Sequence, residues 1–204
     1  MSLSALALPA ALSLIMLAAG LLISRDFRIV TLLLWLQGIA VFLLVSLRWP
    51  LELALVKLIA SIIAGAILAS SMLSAPSQAA QERKAWRTGR VFRLLTAALV
   101  LLAVGSVTPQ AVAWVPGVGI AQVLGSLSLI GLGLVQLGLT NLPFRSIVGL
   151  LTVLAGFEII YAAVERSILV AGLLGIINLG LALIGAYLVQ AAEPEPVVEG
   201  TTEP

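Results

Sequence analysis

The apolar residues of this chain arrive in long runs almost free of charge, each close to the roughly 20 residues a helix needs to cross about 30 Å of hydrocarbon. No other feature narrows the fold as much. Backbone amides and carbonyls in hydrocarbon must be satisfied within a helix or a closed barrel. The runs lack the period-two alternation of barrel strands, so helices remain. Composition agrees: 61% of the 204 residues are hydrophobic and 10% are charged, with a mean hydropathy of +1.20. The expected fold class is all-α, a polytopic transmembrane helical bundle.

Seven spans are predicted, at about residues 6–24, 27–47, 51–74, 91–107, 117–140, 146–164 and 167–190. The first run lacks the positive n-region of a secretory signal and is read as a retained span. Residues 1–190 form one transmembrane domain on this reading. Residues 191–204, AAEPEPVVEGTTEP, are Pro- and Glu-rich and are expected to be a disordered acidic tail.

Seven spans put alternate loops on opposite sides. Arg25, Arg28, Arg83, Lys84, Arg87, Arg90, Arg93 and Arg145 then share one side, against Arg48 and Arg166 on the other. Under the positive-inside rule the N-terminus lies outside and the acidic tail in the cytoplasm. Trp49 and Trp114 then fall near the outer interface and Trp86 in a cytoplasmic loop. The basic residues flank apolar spans, so the net charge of +2 is read as a topology signal and not as a nucleic-acid surface.

The chain contains no Cys and no His, which removes thiolate and imidazole ligation, iron–sulfur ligation by this chain, His acid/base chemistry and disulfides. No metal and no cofactor is expected. The charged stretch at residues 75–90, APSQAAQERKAWRTGR, is compatible with a helix lying on the inner leaflet, a docking surface for a soluble partner, or a topology-fixing loop held near anionic lipid. The uncharged outer connection at residues 105–119, with two prolines, is expected to fold back on itself at the interface. Small residues recur at helix-packing spacing, Ala60 with Ala64, Ser61 with Gly65, Gly65 with Ala69 and Ala171 with Gly175, and are read as packing within the bundle.

Sliding the chain by about 118 residues exposes a candidate duplication. Phe27-Arg28-Ile29-Val30 recurs as Phe144-Arg145-Ser146-Ile147-Val148, and IVTLLLWLQGI aligns with IVGLLTVLAGF, superposing Gly38 on Gly156. This predicts two parallel three-helix units, residues 1–74 and 117–190, joined by residues 75–116, which carry the basic loop, a linking helix and the outer loop.

The two units differ in their charges. Glu158 stands alone as a carboxylate inside an apolar span, aligned with Ala40, and Lys57, inside another, aligns with Gly175. An ionisable group at mid-helix costs roughly 2.5 to 3.5 kcal/mol even on lenient insertion scales, so its default reading is functional, with a partner to be found. Both charges sit about six residues from the outer end of their spans, or roughly 9 to 10 Å below the outer face at 1.5 Å per residue. They share a level and are candidates to pair. Gln37, Gln136 and Asn178 lie nearer mid-membrane and are read either as extensions of a hydrated polar path or as single interhelical hydrogen bonds.

The sequence Gly156-Phe157-Glu158-Ile159-Ile160-Tyr161-Ala162-Ala163, with Gly138-Leu139-Thr140 and Arg145 before it, resembles the small three-helix K subunit of respiratory complex I and its antiporter relative. In that family a helix preceded by a cytoplasmic basic turn carries such a Gly-Leu-Glu pattern. The family's second carboxylate would fall near Ile176, where this chain has none; Asn178 is the nearest polar residue. Over most of its length, with Arg28, Gln37 and Lys57 at matching polar positions, the chain resembles the E-type membrane component of hydrogenase-4 and formate hydrogenlyase complexes. The resemblance implies a non-catalytic membrane subunit, not itself an enzyme, seated among antiporter-like subunits with a soluble redox module on the cytoplasmic side. It also implies that Glu158, with Lys57, contributes to a polar axis for proton or cation coupling. Two other readings stand beside it: a scaffold in which the two charges form a static pair, and a stand-alone small-solute transporter.

Overall fold

A computed structural model describes residues 7–84, 89–114, 117–165 and 167–192, with side chains for all of these except 81–84. The acidic tail beyond residue 192, Trp86, Arg87 and Arg166 lie outside the described residues. The elements are α1 (Ala7–Ile23), α2 (Phe27–Val45), α3 (Leu51–Leu73), α4 (Pro76–Lys84), α5 (Arg90–Trp114), α6 (Ile120–Gly138), α7 (Pro143–Val164) and α8 (Ile168–Ala191). Six of them are long and apolar enough to cross a membrane, and α1 is a shorter apolar helix among them. The chain is an all-α polytopic bundle of about seven spans.

Local chemistry sets the ends of the helices. Asp26 is the N-cap of α2, its carboxylate accepting from the Arg28 N–H at 3.1 Å. Proline opens the first turn of α7, where a missing N–H costs nothing. Pro109 behaves differently. The connection expected to fold back from residue 105 is helical as far as Trp114, and Pro109 lies inside α5. A proline is tolerated within a span when other groups serve the freed backbone, and uncharged residues give the chain no reason to leave the apolar phase there. The basic stretch also contains a helix, the nine-residue α4, anchored where Gln78 Nε2 donates to the Ala192 carbonyl at 2.6 Å.

Packing is densest between α6 and α7, then between α3 and α8; α1 packs on α2 and α6, α5 on α6, and α2 on both α3 and α7. The α6–α7 contact is close because glycines line it. A Cβ added at Gly156 would stand 2.7 Å from the Ser126 carbonyl, and one at Gly133 would stand 2.9 Å from the Gly149 carbonyl. Lipid supplies no hydrophobic drive for helix association, so contact made possible by small residues must hold such pairs.

Two apolar clusters fill the interior. One, toward the basic end, gathers Leu21, Val30, Leu34, Leu68, Phe144 and Ile147. The other, toward the opposite end, gathers Leu14, Val41, Leu44, Leu129 and Ile159. Between them four helices each carry polar residues. On α2, Gln37 lies between Leu34 and Ala40; on α3, Lys57 and Ser61 lie between Ala54 and Ala64. On α7, Thr152 and Glu158 lie between Leu151 and Ile159, and on α8, Asn178 lies between Ala171 and Ala182. The core is two dry layers with a polar seam between.

Candidate functional site

Lys57 sits in the second turn of α3 and Glu158 near the C-terminal end of α7, both facing inward because the lipid-facing positions of these helices are apolar. Lys57 Nζ lies 2.5 Å from Glu158 Oε1, with the side chains 8% and 3% exposed. The two charges expected at a common depth therefore form an ion pair. Removing two ions from water costs several kcal/mol each, and only close contact with good geometry recovers it. Glu158 Oε2 has no hydrogen-bond partner among the described residues, so one side of the carboxylate stays open to further bonding.

The backbone beside Glu158 is fixed by its neighbour helix. Ser126 Oγ donates to the Gly156 carbonyl at 2.5 Å, across the glycine contact between α6 and α7. On α3, Ser61 Oγ donates to the Lys57 carbonyl at 3.1 Å. Of the two, the bond beside Glu158 crosses between helices, whereas the Ser61 bond stays within α3.

Small cavities flank the pair. On the mid-membrane side lies a cavity of about 20 Å³ whose polar lining is Gln37, Lys57, Ser61 and Asn178. That is enough for about one water molecule, and such a site needs two to four polar partners. Gln37 is only 1% exposed and its Oε1 has no partner among the described residues. On the other side lies a cavity of about 10 Å³, lined by Val45, Trp49, Lys57, Glu158, Ala171 and Leu174. Trp49 closes this end: it is buried, and its Nε1 donates to the Glu165 carbonyl at 2.9 Å, tying the α2–α3 loop to the C-cap of α7.

Of the polar residues expected on a path, Gln37 and Asn178 meet Lys57 around one cavity. Gln136 does not join them. Its Nε2 donates to the Arg145 carbonyl at 3.2 Å, between α6 and α7 toward the basic end, and it lines neither cavity. Sequence reasoning treated Ser61 only as a packing residue and Trp49 only as an interfacial ring; both border the pair.

Sequence reasoning also placed Arg93 and Arg145 with the topology-setting charges. Arg145 is 2% exposed, and its Nη1 and Nη2 donate to the Leu21 and Ser24 carbonyls at 3.2 and 2.5 Å. Arg93 Nη1 donates to the Leu22 carbonyl at 3.2 Å. Two guanidiniums therefore satisfy the carbonyls that end α1, where helix geometry leaves them without partners and the dipole favours a cation. The signal available was an arginine set one turn inside an apolar run.

Among the described residues no three Asp, Glu, His or Cys side chains gather as a metal site would require. Comparison of the chain with family models, with curated proteins and with solved structures gives no significant match.

Proposed function

We propose that this chain is a non-catalytic membrane subunit of a complex-I-like or energy-converting hydrogenase assembly, in which Lys57 and Glu158 form one element of a polar axis coupling redox chemistry to proton or cation movement. The observation that carries the reading is the 2.5 Å ion pair between charges on α3 and α7, set in a polar seam beside Gln37 and Asn178. The assembly itself is suggested by the sequence resemblance alone.

Such a pair has two balanced states. A proton delivered to the Glu158 carboxylate cancels the attraction that holds the Lys57 ammonium. On this reading the ammonium then passes its proton to the polar cavity on its other side, which leaves acid and amine both neutral. Transfer of the proton from the neutral acid to the neutral amine it touches restores the ion pair. One proton has then entered at Glu158 and one has left from Lys57, so that one proton has moved along the seam. Partners on this reading are antiporter-like membrane subunits against the lipid-facing helices and a soluble redox module at the basic end. The membrane is a prokaryotic inner membrane with the N-terminus outside.

The direct contact of the two charges also favours a second reading, a scaffold in which the pair is static. Glu158→Gln in the assembled complex separates the two. Coupling is expected to fall at least tenfold while redox turnover and assembly persist. Normal ion pumping in that variant would remove the carboxylate from the mechanism and leave the scaffold.

A further inference from the structure

At the basic end, a groove of about 280 Å³ opens between the start of α2 and the junction of α3 with α4, and the polar seam makes no use of it. Six of its lining residues are apolar, Phe27, Met72, Leu73, Pro76, Ala79 and Ala80, and among the described residues the seventh, Arg28, brings a guanidinium that makes much of the accessible lining polar. We infer that this groove is a site for one anionic phospholipid of the adjoining leaflet, its phosphate held by Arg28 and one acyl chain laid along the outer face of α2 and α3.

Three observations lead there. Arg28 is exposed, its Cζ stands 5.9 Å from the centroid of the buried Phe27 ring, and among the described residues it makes no ion pair. The ring thus holds the charge at the rim of the groove, while the carboxylate two residues before it in the chain, that of Asp26, is turned onto the backbone as the α2 N-cap. The groove also lies at the N-termini of α2 and α4, whose dipoles favour an anion and outnumber the opposing one at the α3 C-terminus, where Met72 and Leu73 line it. Finally, the apolar surface continues from the groove into the span. Leu32 and Leu36 follow Arg28 at four-residue spacing on α2, and all are exposed, as is Leu73 on α3. A guanidinium at headgroup level, an apolar cleft beside it and an exposed apolar strip below match a phosphate with an acyl tail better than they match an acidic peptide or a free anion.

The test uses the full-length protein in mild detergent and native mass spectrometry during titration with phosphatidylglycerol. Wild type is expected to retain one tightly held lipid. Arg28→Ala should weaken retention about tenfold, the loss of one charge-assisted contact, and Ala80→Trp should weaken it by filling the cleft while leaving Arg28 in place. Arg90→Ala, an exposed arginine at the same end that does not line the groove, should retain lipid as wild type does. Phosphatidylcholine should bind more weakly, and inorganic phosphate at matched concentration should not displace the lipid. Equal retention by Arg28→Ala and wild type, equal loss in Arg90→Ala, or displacement by inorganic phosphate or by an acidic peptide would each overturn the assignment.

Discussion

Lys57 and Glu158 are stable where they are only because each supplies what the other lacks. With the pair intact, the desolvation of two ions is offset by contact at 2.5 Å; with one partner gone, a buried charge is left alone. Glu158→Leu and Lys57→Met are therefore each expected to cost about 3 to 5 kcal/mol, while the double change Lys57→Met with Glu158→Leu recovers most of the loss. Denaturant unfolding of the four proteins in one detergent measures the cycle, and a double variant as unstable as the sum of the singles would show that the two charges are not coupled. Arg145 offers a second contrast. Buried and bonded to the Leu21 and Ser24 carbonyls at the end of α1, it is expected to contribute about 3 kcal/mol or more, at roughly 1.5 to 3 per charged hydrogen bond. Arg28→Met, at an exposed position of the same end, should stay within about 0.5 kcal/mol in the same assay. What the sequence revealed at this scale follows from contrast. Glu158 and Lys57 stand out because almost any charge in an apolar run is conspicuous. Ser61 does not, since a serine in a small-residue run reads as packing until its cavity is known. Arg145 was visible as a charge, but a topology marker and a buried helix clamp look alike in one dimension.

At the scale of helices, hydropathy located every span to within a few residues, except where it placed the end of α5 at residue 107 and the chain ran on to Trp114. A window reads Pro109 as a breaker, whereas in an apolar phase the cost of leaving the helix exceeds the cost of one missing bond. Hydropathy also says nothing about faces. That Gln37 and Asn178 turn toward Lys57 while Gln136 turns toward Arg145 depends on how four helices rotate against one another. The α2–α3 loop adds a device of its own. Trp49 fills the end of the small cavity beside the ion pair and is pinned to α7 by one hydrogen bond. Trp49→Ala should open that side. Because the chain has no cysteine, Ala171→Cys in the same cavity is a clean probe. A charged thiol reagent added on the side of Trp49 is expected to label Ala171→Cys at least tenfold faster when Trp49 is alanine than when it is present. Equal labelling rates in the two backgrounds would show that the ring does not limit access.

Three helix pairs cross from the first half of the bundle to its second: α1 on α6, α2 on α7 and α3 on α8. Each helix of the first proposed three-helix unit thus lies against the helix that a shift of about 118 residues would superpose on it. The contacts stack α1, α2 and α3 in the same order on α6, α7 and α8, an arrangement that a parallel duplication would give if its copies lay side by side. On that account the charges differ between copies because each supplies one partner: Lys57 and Glu158 stand where the other copy has Gly175 and Ala40. The ion pair then joins the halves as well as serving any coupling role. If so, two fragments, residues 1–88 and 89–204, co-expressed in one membrane, should associate through these three helix pairs and co-purify with one tag. Lys57→Met in the first fragment should weaken that association by about 3 kcal/mol or more, or roughly a hundredfold, because its buried partner in the second fragment is left unpaired. Lys57→Met with Glu158→Leu across the two fragments should restore it. Fragments that fail to co-purify would place the cohesion of the molecule within each half, as in the glycine contact of α6 with α7, and fragments that associate equally with and without Lys57 would place it in other contacts between the halves, such as the clamp at the end of α1.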